Sequence, residues 1–389
     1  MSLHSRYARS LILSVLLTFA GSSLADLAVD SSWQPLTTTD GSSLTARHEA
    51  AGVVHEDNLY LMGGRGNRPL ERYSVTTGHW ENLGLAPFEM HHMQPVVMDG
   101  RIYVIGALSQ GYPREEIVND IYTFDMQEGT WDIAGSLPTN RVRGGIAAVV
   151  YEGKFYLLGG NVAGHDGGAV SWFDEYDPLT DEWRELPDAP NARDHFSAVI
   201  VGDQLIAAAG RQTAQPNPAA APVLATDIFD FTTGQWHSGA PIPRPRAGVV
   251  SVAYDGHVIV AGGEINTSSD ALNVVEAYDV DADTWQALPS MTSGRHGSGG
   301  GIVGSHFYVL SGVPTIGGQS ELEIASSERL ELPDIVVPDI VVPNVTDPVV
   351  TDQKASSRKG GGSGILLLVG LICVRILRKP PHNTVAPIQ

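Results

Sequence analysis

Cysteine is almost absent: Cys373 is the only one in 389 residues, and it sits in a C-terminal apolar run. Everything upstream therefore lacks a disulfide framework, a Cys-ligated zinc and a thiol nucleophile. Charge is scarce and lopsided, with 17% charged residues and a net of −20. An acidic chain repels a phosphate backbone, which excludes unselective nucleic-acid binding, and no nucleic-acid partner is expected. There is no P-loop and no G-x-S-x-G elbow. Glycine-rich pieces such as Gly297 to Gly301 lack the following helix that a dinucleotide fold requires. No cofactor is expected.

Turn formers are abundant instead, with 43 Gly and 24 Pro, as suits an all-β chain with many hairpins. The stretch from Lys154 to Trp183 holds two strand patterns, KFYLLGG and FDEYDPLTDEW, and near-copies recur along the chain. Tryptophans stand at Trp33, Trp80, Trp131, Trp183, Trp236 and Trp285, at intervals of 47, 51, 52, 53 and 49. Double glycines or their equivalents stand at Gly63-Gly64, Gly106-Ala107, Gly159-Gly160, Ala209-Gly210, Gly262-Gly263 and Ser311-Gly312. A repeat of this length cannot bury both faces of its sheet alone, so neighbours must stack into a solenoid, array or propeller. Each repeat offers four pieces. A small apolar one is joined through a hairpin signal to one ending at the glycine mark. A third carries an aromatic, and the last opens at the tryptophan.

This order of double glycine, aromatic and tryptophan resembles the kelch-repeat β-propellers over residues 32 to about 332. The resemblance implies an all-β, six-bladed ring of four-stranded blades around a central channel. The last repeat has no tryptophan strand, and Trp33 has no strands before it. Trp33-Gln34-Pro35-Leu36 is therefore expected to complete the sixth blade and close the ring. The tryptophans are expected to pack between blades. Glycine at the marks permits a positive φ; alanine at 209 and serine at 311 disfavour it in blades four and six.

Outside the propeller, assigned to residues 30–332, residues 1–25 read as a secretory signal, with Arg6 and Arg9 before an apolar core and small residues ahead of Asp26. Residues 333–359 contain PDIVVPDIVVPNVTDPVVTD, a proline-led tandem read as an extended stalk. Residues 360–379 join GGGSG to an apolar run and a basic cluster, and 380–389 form a short polar end. As a helix, 18 residues of that run span about 27 Å, marginal for a bilayer. The tail resembles the GlyGly-type sorting signals of Gram-negative bacteria, which implies processing by a membrane protease; a permanent membrane anchor is the second reading. Either way the chain is expected to be exported to the periplasm or cell surface.

Sixteen residues before each glycine mark stand Arg47, Met90, Arg143, Arg193, Arg246 and Arg295. These arginines should converge at one mouth of the channel, with His91, His92 and His195 beside them. They either brace adjacent blades or bind ligand, since guanidinium groups grip carboxylates in a bidentate way. His91-His92 has no third histidine nearby in sequence, so no metal site is assigned. Gly164 to Gly168 reads as a turn. The loops after the glycine marks vary most in length and are expected to carry specificity. The expected function is binding of an anionic glycan, peptide or protein at the mouth. The resemblance also implies an alternative, a sialic-acid mutarotase-like sugar isomerase, and a structural spacer is the third reading. A kelch-type copper radical oxidase is excluded, because it needs a cysteine bonded to tyrosine.

Overall fold

In the computed structural model, residues 31–318 and 320–333 are described. The readings placed on the signal, the stalk beyond Pro333 and the C-terminal tail lie outside them. No helix among the described residues is long and apolar enough to cross a membrane.

The described chain folds into six four-stranded antiparallel sheets. Blade one consists of Ala50–His55, Asn58–Gly63, Pro69–Ser74 and His79–Leu85, paired in that order. Blades two to five repeat the pattern and end on outer strands Thr130–Ser136, Glu182–Leu186, Gln235–Gly239 and Thr284–Leu288. Blade six joins Gly299–Val303, His306–Leu310 and Ser327–Glu331 to Gln34–Pro35 from the other end of the described chain. Gln34 faces Arg329 and Pro35 faces Glu328, so the ring closes as the tryptophan count implies.

Six apolar clusters hold the ring, each straddling one junction between blades. Met62 and Tyr60 of blade one meet Ile102 and Phe124 of blade two, and Phe173 of blade three meets Phe229 of blade four. Each fully buried aromatic contributes roughly 1.5–3 kcal/mol by leaving water, so stability resides in the junctions. The tryptophans serve the same purpose. Trp183 stacks on Tyr176 of its own blade, 4.4 Å between centroids. The indole N–H groups of Trp236, Trp285 and Trp33 each donate to a carbonyl of the preceding blade, at Pro187, Ala240 and Pro289.

Crowding at the axis explains the small residues of the innermost strands. A Cβ on Gly52 would lie 2.4 Å from the backbone nitrogen of Gly300, so the inner strands of blades one and six approach as only glycine allows. Around the axis lies a channel of about 350 Å³. The expected loss of positive φ in blades four and six does not occur: Ala209 has φ +63° and Ser311 φ +57°. At Ser311 the hydroxyl offsets the strain. It accepts the Arg47 N–H at 2.9 Å and lies 2.8 Å from the Arg47 carbonyl, joining blade six to blade one.

Candidate functional site

The arginines predicted at the mouth do not face it. Arg47, Arg143, Arg193 and Arg246 are fully buried and Arg295 is nearly so. Each reaches carbonyls of its own blade and one carboxylate on that blade's third strand. Arg143 donates to Gly159 and Leu157 carbonyls and pairs with Asp174 at 2.8 Å. Arg193 pairs with Asp227, Arg246 with Glu276, Arg295 with Glu328 and Arg47 with Glu71. Guanidinium groups buried and turned into their own blades do not reach a ligand at the mouth, which corrects the expectation that these five line a ligand site. The bracing is also within blades, not between them. The arginine backbone does the stitching: Gly160, Gly210, Gly263 and Gly312, each the second residue of a glycine mark, donate to the next blade's arginine carbonyl, as Gly160 does to Arg193 at 2.9 Å. Blade two replaces both members of the pair, Met90 for the arginine and Tyr122 at the carboxylate position, and both join its apolar cluster.

The site forms two residues further on. Glu49, His92, Gly145, His195, Gly248 and Gly297 occupy equivalent places at the entry to the innermost strands, and all six have φ between 50 and 67°. Glycine takes this conformation freely, while other residues pay about 1–2 kcal/mol. Three blades use glycine; the other three carry a strained glutamate or histidine at the mouth of the channel. Strain of this kind clusters where side chains must be aimed.

The loops after the glycine marks complete the arrangement. In blade three, Gly164–Asp166 is a short 3-10 turn, and it presents His165 to His92 and His195. Ring centroids lie 5.1 Å apart for His92 and His165, 4.4 Å for His92 and His195, and 4.9 Å for His165 and His195. Gly164 allows this: a Cβ there would lie 2.2 Å from a Glu115 oxygen. Glu115 accepts from the His165 backbone at 2.8 Å, contacts the His165 ring Nδ1 at 2.7 Å and accepts from Arg65 at 2.8 Å. Asp194 contacts His195 Nδ1 and accepts from the Thr213 hydroxyl at 2.5 Å. Glu49 lies 3.1 Å from His92 Nε2, and His91 and His92 meet through their Nδ1 atoms at 2.6 Å. His48 pairs with Glu323 and His296 lies between Glu49 and Glu264.

Electrostatically the cluster is buried and mixed in sign. Burial and the nearby Arg65 push His91 down to about 3, and burial, with Arg211 beside it, lowers His195 as well. Both rings are neutral at physiological pH. Burial alone would raise the Glu115 carboxyl; His165 and Arg65 outweigh it and hold it at about 2. Glu264, paired with Arg211, is held at about 2 against burial by His296, Arg211 and the Gly317 amide. Above this floor opens a cavity of about 560 Å³, lined by Arg65, Tyr112, His165, Arg211, Glu264 and the Asn217 to Ala219 and Ile316 to Gly318 segments.

Of the residues singled out in sequence, the fold thus brings together His91, His92 and His195 and withdraws the arginines. It adds His165, Glu49, Glu115, Asp194 and Glu264. His165 sits in the segment read as a turn, and nothing in the local sequence ties it to His92.

Comparison with known proteins agrees with the architecture. The profile described as the KLHDC2/KLHL20/DRC7 Kelch-repeats domain matches residues 22–210 and 92–318. Kelch-like protein terF of Aspergillus terreus is 29% identical over 313 residues, 74% of this chain and 65% of that protein. Kelch-like protein 38 of Rattus norvegicus is 23% identical, over 68% of this chain and 44% of its own length. The match thus spans less than two thirds of either relative. The solved structure titled "Structure of YjhT" superposes with a TM-score of 0.63 at 17% identity, covering 74% of this chain and 95% of that one. With six closed blades, the glycine and tryptophan marks in place and a family match over most of the chain, the protein belongs to the kelch-repeat β-propeller family.

Proposed function

We propose that this protein is an exported binding protein that holds an anionic glycan, peptide or protein ligand at the loop-side mouth of its propeller. The mouth cavity carries the reading. Loops from all six blades meet there, and among the reachable side chains are Tyr112, 63% exposed, and Arg65, whose guanidinium lies 5.6 Å from the Tyr112 ring centre. An aromatic face beside a cation suits a sugar or peptide bearing a carboxylate. Export rests on the N-terminal signal read in the sequence, and tethering or sorting on the C-terminal tail. The test is Arg65→Ala with Tyr112→Ala, assayed on a glycan array and by pull-down from the envelope fraction. Ligand signal should fall at least tenfold in both; Tyr112→Ala, a surface change, should leave unfolding free energy within about 0.5 kcal/mol of the parent, while Arg65→Ala also unpairs buried Glu115 and lowers stability. Unchanged binding to a ligand the parent captures would overturn the placement.

A second reading has its own support. The pairs Glu115–His165 and Asp194–His195 stand at the cavity floor as hydrogen-bonded acid–base couples, the type of group that moves an anomeric proton in a sugar isomerase. Anomer exchange of sialic acid followed by NMR decides it: a rate no greater than in buffer removes that reading for that sugar.

A further inference from the structure

Two ring nitrogens at the cavity floor point at each other. His165 Nε2 and His195 Nε2 are 3.3 Å apart. On each ring the opposite nitrogen, Nδ1, is against a buried carboxylate, Glu115 or Asp194. A carboxylate takes the proton on the nitrogen it touches, so each Nε2 is left with a lone pair. Two lone pairs facing across 3.3 Å repel unless something positive lies between them. Arg211 Nη2 lies 3.3 Å from His165 Nε2 while its other nitrogens donate to Glu264 and Thr213; among the described residues His195 Nε2 has only the facing His165 ring nitrogen.

From these observations we infer that His92, His165 and His195 form a binding site for a divalent first-row transition metal ion, of the zinc type. Zn–N bonds of about 2.0–2.1 Å in tetrahedral geometry place ligand nitrogens about 3.3 Å apart, the separation His165 and His195 already show. A nitrogen of His92 completes a set in which one ligand atom per histidine lies within 4.8 Å of the others. The carboxylate-to-histidine contacts match the outer support that orients metal-bound imidazoles.

Charge agrees with a cation of this kind. Four buried carboxylates surround the histidines, Glu49, Glu115, Asp194 and Glu264, against two guanidinium groups, Arg65 and Arg211. With the histidines counted as neutral, two negative charges are left over, which a divalent ion balances. Neutral imidazoles select zinc, copper or nickel over calcium and magnesium, which prefer oxygen. Three protein ligands leave a fourth position, and His165 also lines the mouth cavity, so that position opens toward whatever the mouth holds. The placement owes nothing to sequence proximity: His165 comes from a different blade than His92 and from a different loop than His195.

The experiment uses the full chain without an affinity tag, stripped with chelator and titrated with Zn²⁺ by calorimetry and with Co²⁺ by absorption. One equivalent should bind, with the intense visible bands of tetrahedral cobalt. His165→Gln and His195→Gln should each weaken Zn²⁺ binding at least 100-fold, and Glu115→Gln 10- to 100-fold. No ligand is present in this assay, so the outcome is separate from that of the binding proposal. Absence of a stoichiometric site, weak octahedral cobalt bands on the parent, or unchanged affinity in both histidine variants would each overturn the inference. The cobalt spectrum of the parent decides even where a variant does not fold.

Discussion

Ala209 and Ser311 hold the same backbone conformation as the glycines at the other blades' marks, and only one of them is compensated. The left-handed region costs a residue with a Cβ about 1–2 kcal/mol. Ala209 has only its buried methyl to set against that cost, while the Ser311 hydroxyl lies within hydrogen-bonding distance of Arg47 and Ile324. Ala209→Gly should therefore change unfolding free energy by less than about 1 kcal/mol, because relief of strain offsets the added entropy of the unfolded chain. Ser311→Gly should cost about 1–3 kcal/mol by leaving the buried Arg47 N–H without its partner. Urea unfolding of the two variants checks this; equal effects would show that the hydroxyl adds nothing. The same conformation recurs at Glu49, His92 and His195, where the side chain serves the site. Here the sequence was legible only in part. His92 and His195 stood out as histidines beside the repeat's arginines. That they aim into the channel follows from φ values that no residue type declares, and His165 joins them through tertiary folding alone.

Within a blade, the buried arginine and its carboxylate form a unit that blade two exchanges for Met90 and Tyr122. The arginines were visible in the sequence by position. Their role was not, because the carbonyls that accept from them leave no mark on residue identity. The available sign was the acid two residues before each third-strand aromatic or its equivalent: Glu71, Asp174, Asp227, Glu276 and Glu328, with Tyr122 where the arginine is missing. Met and Tyr substitute for both members together, so the charged pair is not what the fold itself demands. Breaking the pair on one side is a different matter. Arg246→Met should cost about 3–5 kcal/mol, since Glu276 keeps its charge inside the blade without its partner. Adding Glu276→Tyr should recover more than half of that loss, reproducing blade two. A double-mutant cycle by chemical unfolding measures it; additive losses would show that the two side chains act independently and that blade two is no precedent.

For the whole molecule the governing fact is closure. A linear array of blades would leave one junction face exposed at each end, whereas the ring buries all six. The seal depends on a short segment: Gln34–Pro35 is the outermost strand of blade six, and Trp33 beside it is 3% exposed. Trp33 meets Phe307 edge to face at 5.5 Å and donates to the Pro289 carbonyl of blade five at 2.8 Å. Leu36 N–H and Ser31 hydroxyl tie the flanks to Ser327 and Glu331 carbonyls. Truncating a buried tryptophan typically costs about 3–5 kcal/mol, and here the loss falls on the segment that completes blade six before the chain enters blade one. Opening the ring there exposes two junction faces at once, so blades one and six cannot loosen without their neighbours. Trp33→Ala should therefore move a single cooperative unfolding transition to lower denaturant, and deletion of residues 30–37 should move it further. Circular dichroism is the probe to use, because the substitution removes a fluorophore. Two separated transitions would mean that blade six opens on its own while the other five hold; an unmoved midpoint would mean that the segment covers the ring without closing it.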